Sequence, residues 1–152
     1  MRPIAGVLIL AATLLCSSAL LAEELTVSDV RAFGPKMDAA AQRCDVDAVI
    51  SGIAELAVIS GTGVGVGDTF RMNKAQYREL LTVSCASGRQ WSSVRTNEKI
   101  SIEGDQAIVT ADVAETVTLE GRQATSNLRE RATVEIIDGT LMLTQLHVNL
   151  VD

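Results

Sequence analysis

The segment Gln90–Asp152, QWSSVRTNEKISIEGDQAIVTADVAETVTLEGRQATSNLRERATVEIIDGTLMLTQLHVNLVD, decides the fold of this chain. It contains three pairs of turn residues, Gly104-Asp105, Glu120-Gly121 and Asp138-Gly139. Two-residue turns of this kind join antiparallel strands, because glycine and aspartate tolerate the positive φ angles that such turns need. The segment therefore predicts four consecutive antiparallel strands.

Counting outward from each turn as a two-residue loop gives a register for this sheet. The predicted pairs nearest the turns are Ile102 with Ala107, Val117 with Ala124, and Ile136 with Leu141. With this register, one face of the sheet collects most of the apolar side chains: Val94, Thr96, Ile100, Ile102, Ala107, Val109, Ala111, Val113, Val117, Leu128, Ala132, Val134, Ile136, Leu141 and Leu143. Since side chains alternate between faces with period two, a slip of one residue would move each strand's apolar set to the other face.

Residues 1–22 have the pattern of a signal peptide rather than of a folded element. Arg2 supplies a short positive region, and Ile4–Leu15 is an uncharged apolar run that is short for a membrane span. Small residues precede possible cleavage points after Ala19 or Ala22. The pattern predicts an exported protein, periplasmic or secreted, with residues 23–152 as one domain that is not membrane-bound after cleavage.

The composition argues against nucleic-acid binding. Removal of residues 1–22 takes away one basic side chain, Arg2, and leaves 12 basic and 19 acidic side chains, a net charge of about −7. Aromatic residues make up only 3% of the chain, so the stacking platforms of single-strand binders are scarce.

Cys44 and Cys85 are the two cysteines outside the predicted signal peptide. An even cysteine count in an exported chain predicts a Cys44–Cys85 disulfide. The alternative is that both are separate buried thiols, as free cysteines usually are. One histidine and a predicted disulfide leave no plausible zinc site, and the sequence contains no cofactor motif.

Two short helices, a short strand pair and a longer helix are predicted before the sheet. Thr26 with Asp29, or Ser28, begins the first helix, which Gly34-Pro35 is expected to interrupt. Asp45 begins the second helix. Asn73 with Gln76 forms a predicted capping box for the third, Lys74–Ala86.

The glycine-rich stretch 61–67, GTGVGVG, lies between the two short strands. The dinucleotide fingerprint needs a third glycine before a helix, but Val66 and Asp68 occupy the positions where that glycine would stand. The stretch therefore predicts a flexible linker rather than a phosphate-binding loop.

In this order of elements the chain resembles the NTF2-like superfamily, and in particular its SnoaL-like branch. The likeness is carried by Arg43–Val49 (RCDVDAV), Met72–Leu81 (MNKAQYRELL) and Ala107–Val113 (AIVTADV). It implies an α+β cone in which a curved, mostly antiparallel sheet wraps around three helices. The family includes isomerases, cyclases, dehydratases and non-catalytic binding proteins, and its members often dimerise, so the resemblance leaves the activity open.

The predicted register places four residues in one transverse row on the helix-facing side of the sheet: Glu98, Ala111, Glu130 and His147. Gln145, Glu115 and Asn149 lie on neighbouring rows, and Tyr77 lies on the apolar face of the third helix. We expect these four residues to bind a ligand. Carboxylates and a histidine inside an apolar cone are expected to shift one another's pKa, which suits general acid–base catalysis.

A structural interpretation of the same row is also open. Glu130 and His147 are then a cross-strand pair that fixes the register, with Glu98 reaching solvent. We expect a non-catalytic domain that binds a small apolar or amphipathic ligand in its cone, or a protein partner. An acid–base enzyme using Glu130, His147 and Glu98 is the alternative.

The opposite face of the predicted sheet is charged on three strands and apolar on the last. It carries Arg95, Asn97, Lys99, Thr110, Asp112, Arg129, Arg131 and Thr133, with Met142, Leu146, Val148 and Leu150 on the fourth strand. Such a face is either solvated or half of a symmetric interface, and we expect a homodimer through it.

Overall fold

The computed structural model describes residues 24–63 and 69–151. The predicted signal peptide and part of the glycine-rich stretch lie outside these residues. The described part is α+β, with elements in the order α1 Val27–Gln42, α2 Val46–Ser51, β1 Ile53–Thr62, β2 Thr69–Met72, α3 Lys74–Ala86, β3 Gln90–Glu103, β4 Gln106–Leu119, β5 Arg122–Ile137 and β6 Thr140–Leu150. No helix in these ranges is both long and apolar enough to cross a membrane.

The helices begin where the capping residues predict. The Thr26 and Asp45 side chains accept hydrogen bonds from the first turns of α1 and α2, and Asn73 and Gln76 form the predicted capping box of α3. The predicted interruption at Pro35 is wrong, because α1 continues through it. Val30 and Ala40, on either side of the proline, are both buried, and this packing offsets the backbone hydrogen bond that proline removes.

The six strands form one curved sheet in the order β2-β1-β6-β5-β4-β3. Neighbouring strands are antiparallel except β1 and β6, which are parallel. The three predicted hairpins are present, and the pairs nearest their turns are those given by the turn positions. Buried residues of all three helices and of the sheet's concave face form the main core.

A bulge in β3 changes the register that the first turn predicts. Lys99 pairs with Thr110, but Thr96 pairs with Asp112, so Asn97 and Glu98 together oppose one residue of β4. Asn97 has a φ of 54°, the left-handed conformation that asparagine tolerates better than most residues. Because the bulge reverses the alternation of the strand before it, the predicted inward position of Val94 is wrong, and this side chain is exposed on the convex face.

A second bulge, in β6, changes the register of the last strand. Val134 pairs with Leu143, but Thr133 pairs with Gln145, so Thr144 is an extra residue. The Thr144 hydroxyl lies 2.9 Å from a carboxylate oxygen of Glu135. Beyond this residue Leu146 and Val148 turn inward, which corrects the prediction that they lie on the outer face.

The predicted disulfide is present. Cys44 and Cys85 are bonded, with their Cα atoms 5.7 Å apart. The bond joins the turn between α1 and α2 to the last turn of α3, so it ties together two of the helical segments that cover the concave face.

Candidate functional site

A cavity of about 440 Å³ lies between the concave face of the sheet and the helices. Most of its wall is apolar: Val30, Phe33 and Met37 of α1; Leu80 and Leu81 of α3; Val109, Val113 and Val117 of β4; and Leu128, Ala132, Val134, Leu143, Leu146 and Val148 of β5 and β6. Its volume and apolar lining are those of a small-molecule site. We therefore treat this cavity as the candidate functional site.

A larger concavity, of about 510 Å³, lies at the β1–β2 edge of the sheet and the start of α3. It is more open to solvent, and its ion pair joins Lys74 to Glu55, whose side chain is almost fully exposed. An ion pair with one highly exposed partner contributes little free energy and gives no pre-formed polar site. The enclosed cavity is the better candidate.

Arg95 is the centre of the polar part of the cavity wall. Its Nε and Nη2 atoms donate to both carboxylate oxygens of Asp38 on α1, each at 3.0 Å. Its Nη1 atom donates to Glu130 of β5 at 2.6 Å. Burial disfavours the charge, but the hydrogen bonds with Asp38 and the attraction of both carboxylates outweigh burial and raise the pKa of Arg95. The guanidinium thus binds α1 to the sheet in a planar, bidentate geometry.

Glu115 of β4 lies in the same wall and is not part of this network. Burial raises its pKa above the usual 4.5, and the negative charges of Asp38 and Glu130 raise it further. A carboxyl group in this position holds its proton more firmly than an exposed glutamate does, so it can donate a hydrogen bond or a proton.

The Tyr77 hydroxyl is deeply buried beside the same groups. Burial is the main cause that raises its pKa to about 12, followed by the charges of Glu115, Glu130 and Asp38. Within the described residues, every fully enclosed side-chain nitrogen or oxygen has a hydrogen-bond partner. The hydroxyl makes no such bond with another described residue, so it is not fully enclosed, and Tyr77 lies in the cavity wall. The tyrosine is therefore a neutral hydrogen-bond donor in the cavity wall.

Glu98 lines the cavity, but not in the predicted row. It is part of the β3 bulge and lies 3.6 Å from the guanidinium of Arg31 on α1. The predicted pairing of Glu98 with Ala111 is therefore wrong, because two bulge residues share that place.

The predicted pairing of Glu130 with His147 is also wrong. Glu130 pairs with Val148, and His147 pairs with Arg131 on the convex face. There the His147 Nδ1 atom lies 2.9 Å from the Ser60 hydroxyl. The Thr144 bulge causes this difference, since it moves every later residue of β6 by one position.

Gln145 and Asn149 follow His147 to the convex face, so their predicted place beside the row is also wrong. Gln145 is exposed, and the Asn149 side chain accepts a hydrogen bond from Thr62. Of the predicted ligand-binding residues, Glu115 and Tyr77 do lie in the cavity wall. Whether any of them binds a ligand stays a prediction.

Sequence reasoning missed Arg95 and Asp38, although the sequence holds a signal for each bulge. The run Thr96–Lys99 places four polar residues in succession and includes an asparagine, the residue type most often found at positive φ after glycine. In β6 the apolar phase changes between Leu143 and Leu146. A change of phase within one strand indicates an extra residue, and it would have placed Arg95 inside and His147 outside.

Comparisons with known proteins agree with this architecture. No protein-family model matches the sequence, and no curated protein matches it. Among solved structures, a candidate aromatic ring hydroxylase from Novosphingobium aromaticivorans has a TM-score of 0.72 and 23% identity, over 84% of this chain and 92% of that one. The beta subunit of the benzoate 1,2-dioxygenase from Burkholderia mallei has a TM-score of 0.72 and 12% identity, over 84% and 91%.

A third solved structure carries the fold name. It is a candidate dehydratase of the NTF2-like family from Streptomyces avermitilis, with a TM-score of 0.70 and 16% identity, over 83% of this chain and 96% of that one. Likeness at such low identity identifies a fold and not an activity. The described part of this chain has the NTF2-like fold, as the sequence resemblance predicted.

Proposed function

We propose that this protein binds a small amphipathic molecule in its cone. The observation that carries the proposal is the cavity of about 440 Å³, with apolar walls and one polar wall built from Arg95, Glu115, Glu130 and Tyr77. Apolar burial supplies most of the binding free energy in such a site, at about 25 cal/mol per Å². A few fixed polar groups then orient the ligand.

A matched pair of cavity variants tests the proposal. Ala132 of β5 lines the cavity and is 7% exposed, whereas Ala114 of β4 lies on the convex face. We expect Ala132→Phe to fill the cavity and to abolish binding of the neutral apolar dye N-phenyl-1-naphthylamine, measured by its fluorescence. Ala114→Phe adds the same side chain outside and should bind the dye as the wild type does. Equal binding by all three proteins would contradict a ligand site in the cone.

Acid–base catalysis on the bound molecule is the second candidate. The observation that favours it is the placement of Glu115, with its raised pKa, and Tyr77 on one cavity wall. The predicted row of Glu130, His147 and Glu98 does not support it, since His147 is on the other face. Native mass spectrometry of protein purified from its own host would identify a co-purified ligand. Turnover of that ligand is then compared between the wild type and Glu115→Gln, and we expect the variant to lose it.

Export and dimerisation are separate proposals. The signal-peptide pattern of residues 1–22 and the Cys44–Cys85 disulfide support an exported protein. The intact mass of the secreted material should correspond to a chain that begins at Leu20 or Glu23.

Val94, which is 63% exposed beside Ala114, supports a homodimer through the convex face. Sedimentation equilibrium tests the homodimer: we expect the wild-type protein to be dimeric and the Val94→Arg variant to be monomeric.

A further inference from the structure

The polar wall of the cavity carries an excess of negative charge. Four carboxylates line the cavity, Asp38, Glu98, Glu115 and Glu130, against two guanidinium groups, Arg89 and Arg95. Arg95 is bonded to two of the carboxylates, so its charge is already neutralised. Arg31 lies 3.6 Å from Glu98, so Glu115 is the carboxylate of this lining that has no ion-pair partner among the described residues.

Glu115 and Tyr77 are the polar side chains beside the Arg95 network that have bonding capacity left. Glu115 and the Tyr77 hydroxyl make no hydrogen bond with another described side chain, and both line the cavity. Fully enclosed polar atoms of the described residues all have partners, so the oxygens of these two groups are accessible rather than enclosed. A glutamate offers acceptors when ionised, and a tyrosine hydroxyl offers one donor and one acceptor.

We propose that the ligand is an apolar molecule with a protonated amine, and that the amine binds to Glu115 beside Tyr77. An ammonium group supplies three donors and one positive charge, which match the free acceptors and the excess of negative charge at this wall. A ligand carboxylate would instead lie beside Glu115 and Glu130, where Arg95 is already bonded to Asp38 and Glu130, and repulsion would weaken its binding. Arg89, the other arginine of the lining, is exposed and precedes β3, whereas Glu115 pairs with Ser93 within that strand. The inference rests on the proposed ligand-binding function and adds the chemical class of the head group.

Ionisation of Glu115 is costly because burial and the charges of Asp38 and Glu130 oppose its negative charge. The ammonium group of a bound amine would neutralise this charge in a cavity whose wall is mostly apolar. Charge-assisted hydrogen bonds are about twice as strong as neutral ones, so the head group should select among ligands with equal apolar parts.

Three probes with one alkyl chain separate the head group from the apolar part. Octylamine, octanol and octanoate are titrated into the wild-type protein at neutral pH, and binding is followed by the fluorescence of Trp91. This residue is the only tryptophan of the chain and lines the cavity. We expect octylamine to bind at least tenfold more tightly than octanol, and octanoate to bind most weakly. Octanoate binding as tightly as octylamine would overturn the amine assignment and leave the ligand site intact. Failure of all three probes to bind would count against the ligand site itself.

Variants then assign the contact. Glu115→Gln should weaken octylamine binding about tenfold and change octanol binding less than twofold. Glu103→Gln removes the same charge from an exposed position outside the cavity and should change neither. Thermal unfolding of each variant checks that the fold is retained. If Glu115→Gln is folded and binds octylamine as the wild type does, the assignment of the amine to Glu115 is wrong.

Discussion

The register of the β4–β5 hairpin is uninterrupted, whereas the registers of its two flanking strands, β3 and β6, each contain a bulge. From Gln106 to Leu119, every residue of β4 pairs with β5 without interruption. β3 and β6 each depart from their neighbour's register at a bulge. Side chains of β4 and β5 therefore alternate between the two faces along the whole pair, whereas β3 and β6 each reverse this alternation at their bulge.

This difference decides which side chains reach the cavity. Glu115 and Glu130 point inward from the uninterrupted pair. Arg95 points inward only because the bulge at Asn97 reverses the alternation of β3, and His147 points outward only because of Thr144. Bulges commonly redirect a side chain in this way near functional sites. The sheet's part of the polar wall thus combines Glu115 and Glu130, whose faces follow from a turn, with Arg95, whose face follows from a bulge.

The largest effect is expected from removing the side chain that the β3 bulge redirects. Arg95→Met leaves Asp38 and Glu130 facing each other's charge in a wall where their side chains are only 26% and 16% exposed. We expect a loss of about 3 kcal/mol in the free energy of unfolding, measured by urea denaturation.

The control is the same substitution on the convex face. Arg129 is bonded to Asp112, but its side chain is 65% exposed, so Arg129→Met should cost less than about 1 kcal/mol. Equal losses for the two variants would mean that the Arg95 network is no more buried than a surface ion pair.

A smaller effect is expected at the bulge itself. Asn97 has a φ of 54°, and its side chain donates to Asp112 at 2.8 Å. Asn97→Val should cost about 1–2 kcal/mol because a β-branched residue is strained in the left-handed region. Asn97→Gly loses the same hydrogen bond but tolerates the backbone angle, so it should be the more stable variant by urea denaturation. If valine were as stable as glycine, the bulge would not need a positive φ at this position.

The fold could be predicted from the sequence further than the site could. Local signals fixed the caps at Thr26, Asp45 and Asn73, the disulfide, and the pairs next to each turn. These features depend on residues within a few positions of one another or on cysteine parity. The site depends on which face of the sheet is occupied by residues far from a turn. One extra residue in β3 and one in β6 move these residues to the opposite face. Asp38 depends on still more distant information, since nothing local to α1 indicates that Arg95 will meet it.

A smaller effect again is expected at His147, the residue that the β6 bulge turns away from the cavity. His147→Ala removes the contact with the Ser60 hydroxyl across β1 and β6, which should cost about 1 kcal/mol in the free energy of unfolding. Dye or amine binding in the cavity should stay unchanged. A loss of binding without a loss of stability would return His147 to the site and contradict its convex position.

The smallest effect is expected at Glu115, the carboxylate that the uninterrupted β4–β5 pair holds inward, and it should depend on pH. The groups that face Glu115 are Asp38 of α1, Tyr77 of α3 and Glu130 of β5. The pKa of Glu115 in the folded protein is raised above the ordinary 4.5. As pH rises, the unfolded chain therefore releases the Glu115 proton before the folded protein does. Between pH 4.5 and the folded pKa, the free energy of unfolding falls as pH rises. Glu115→Gln does not titrate, so its stability relative to the wild type should increase across that window and then level off. Glu103→Gln, at an exposed position, serves as the control in parallel thermal unfolding series. A stability difference that is constant with pH, or that falls as pH rises, would mean that Glu115 does not have a raised pKa in the folded protein.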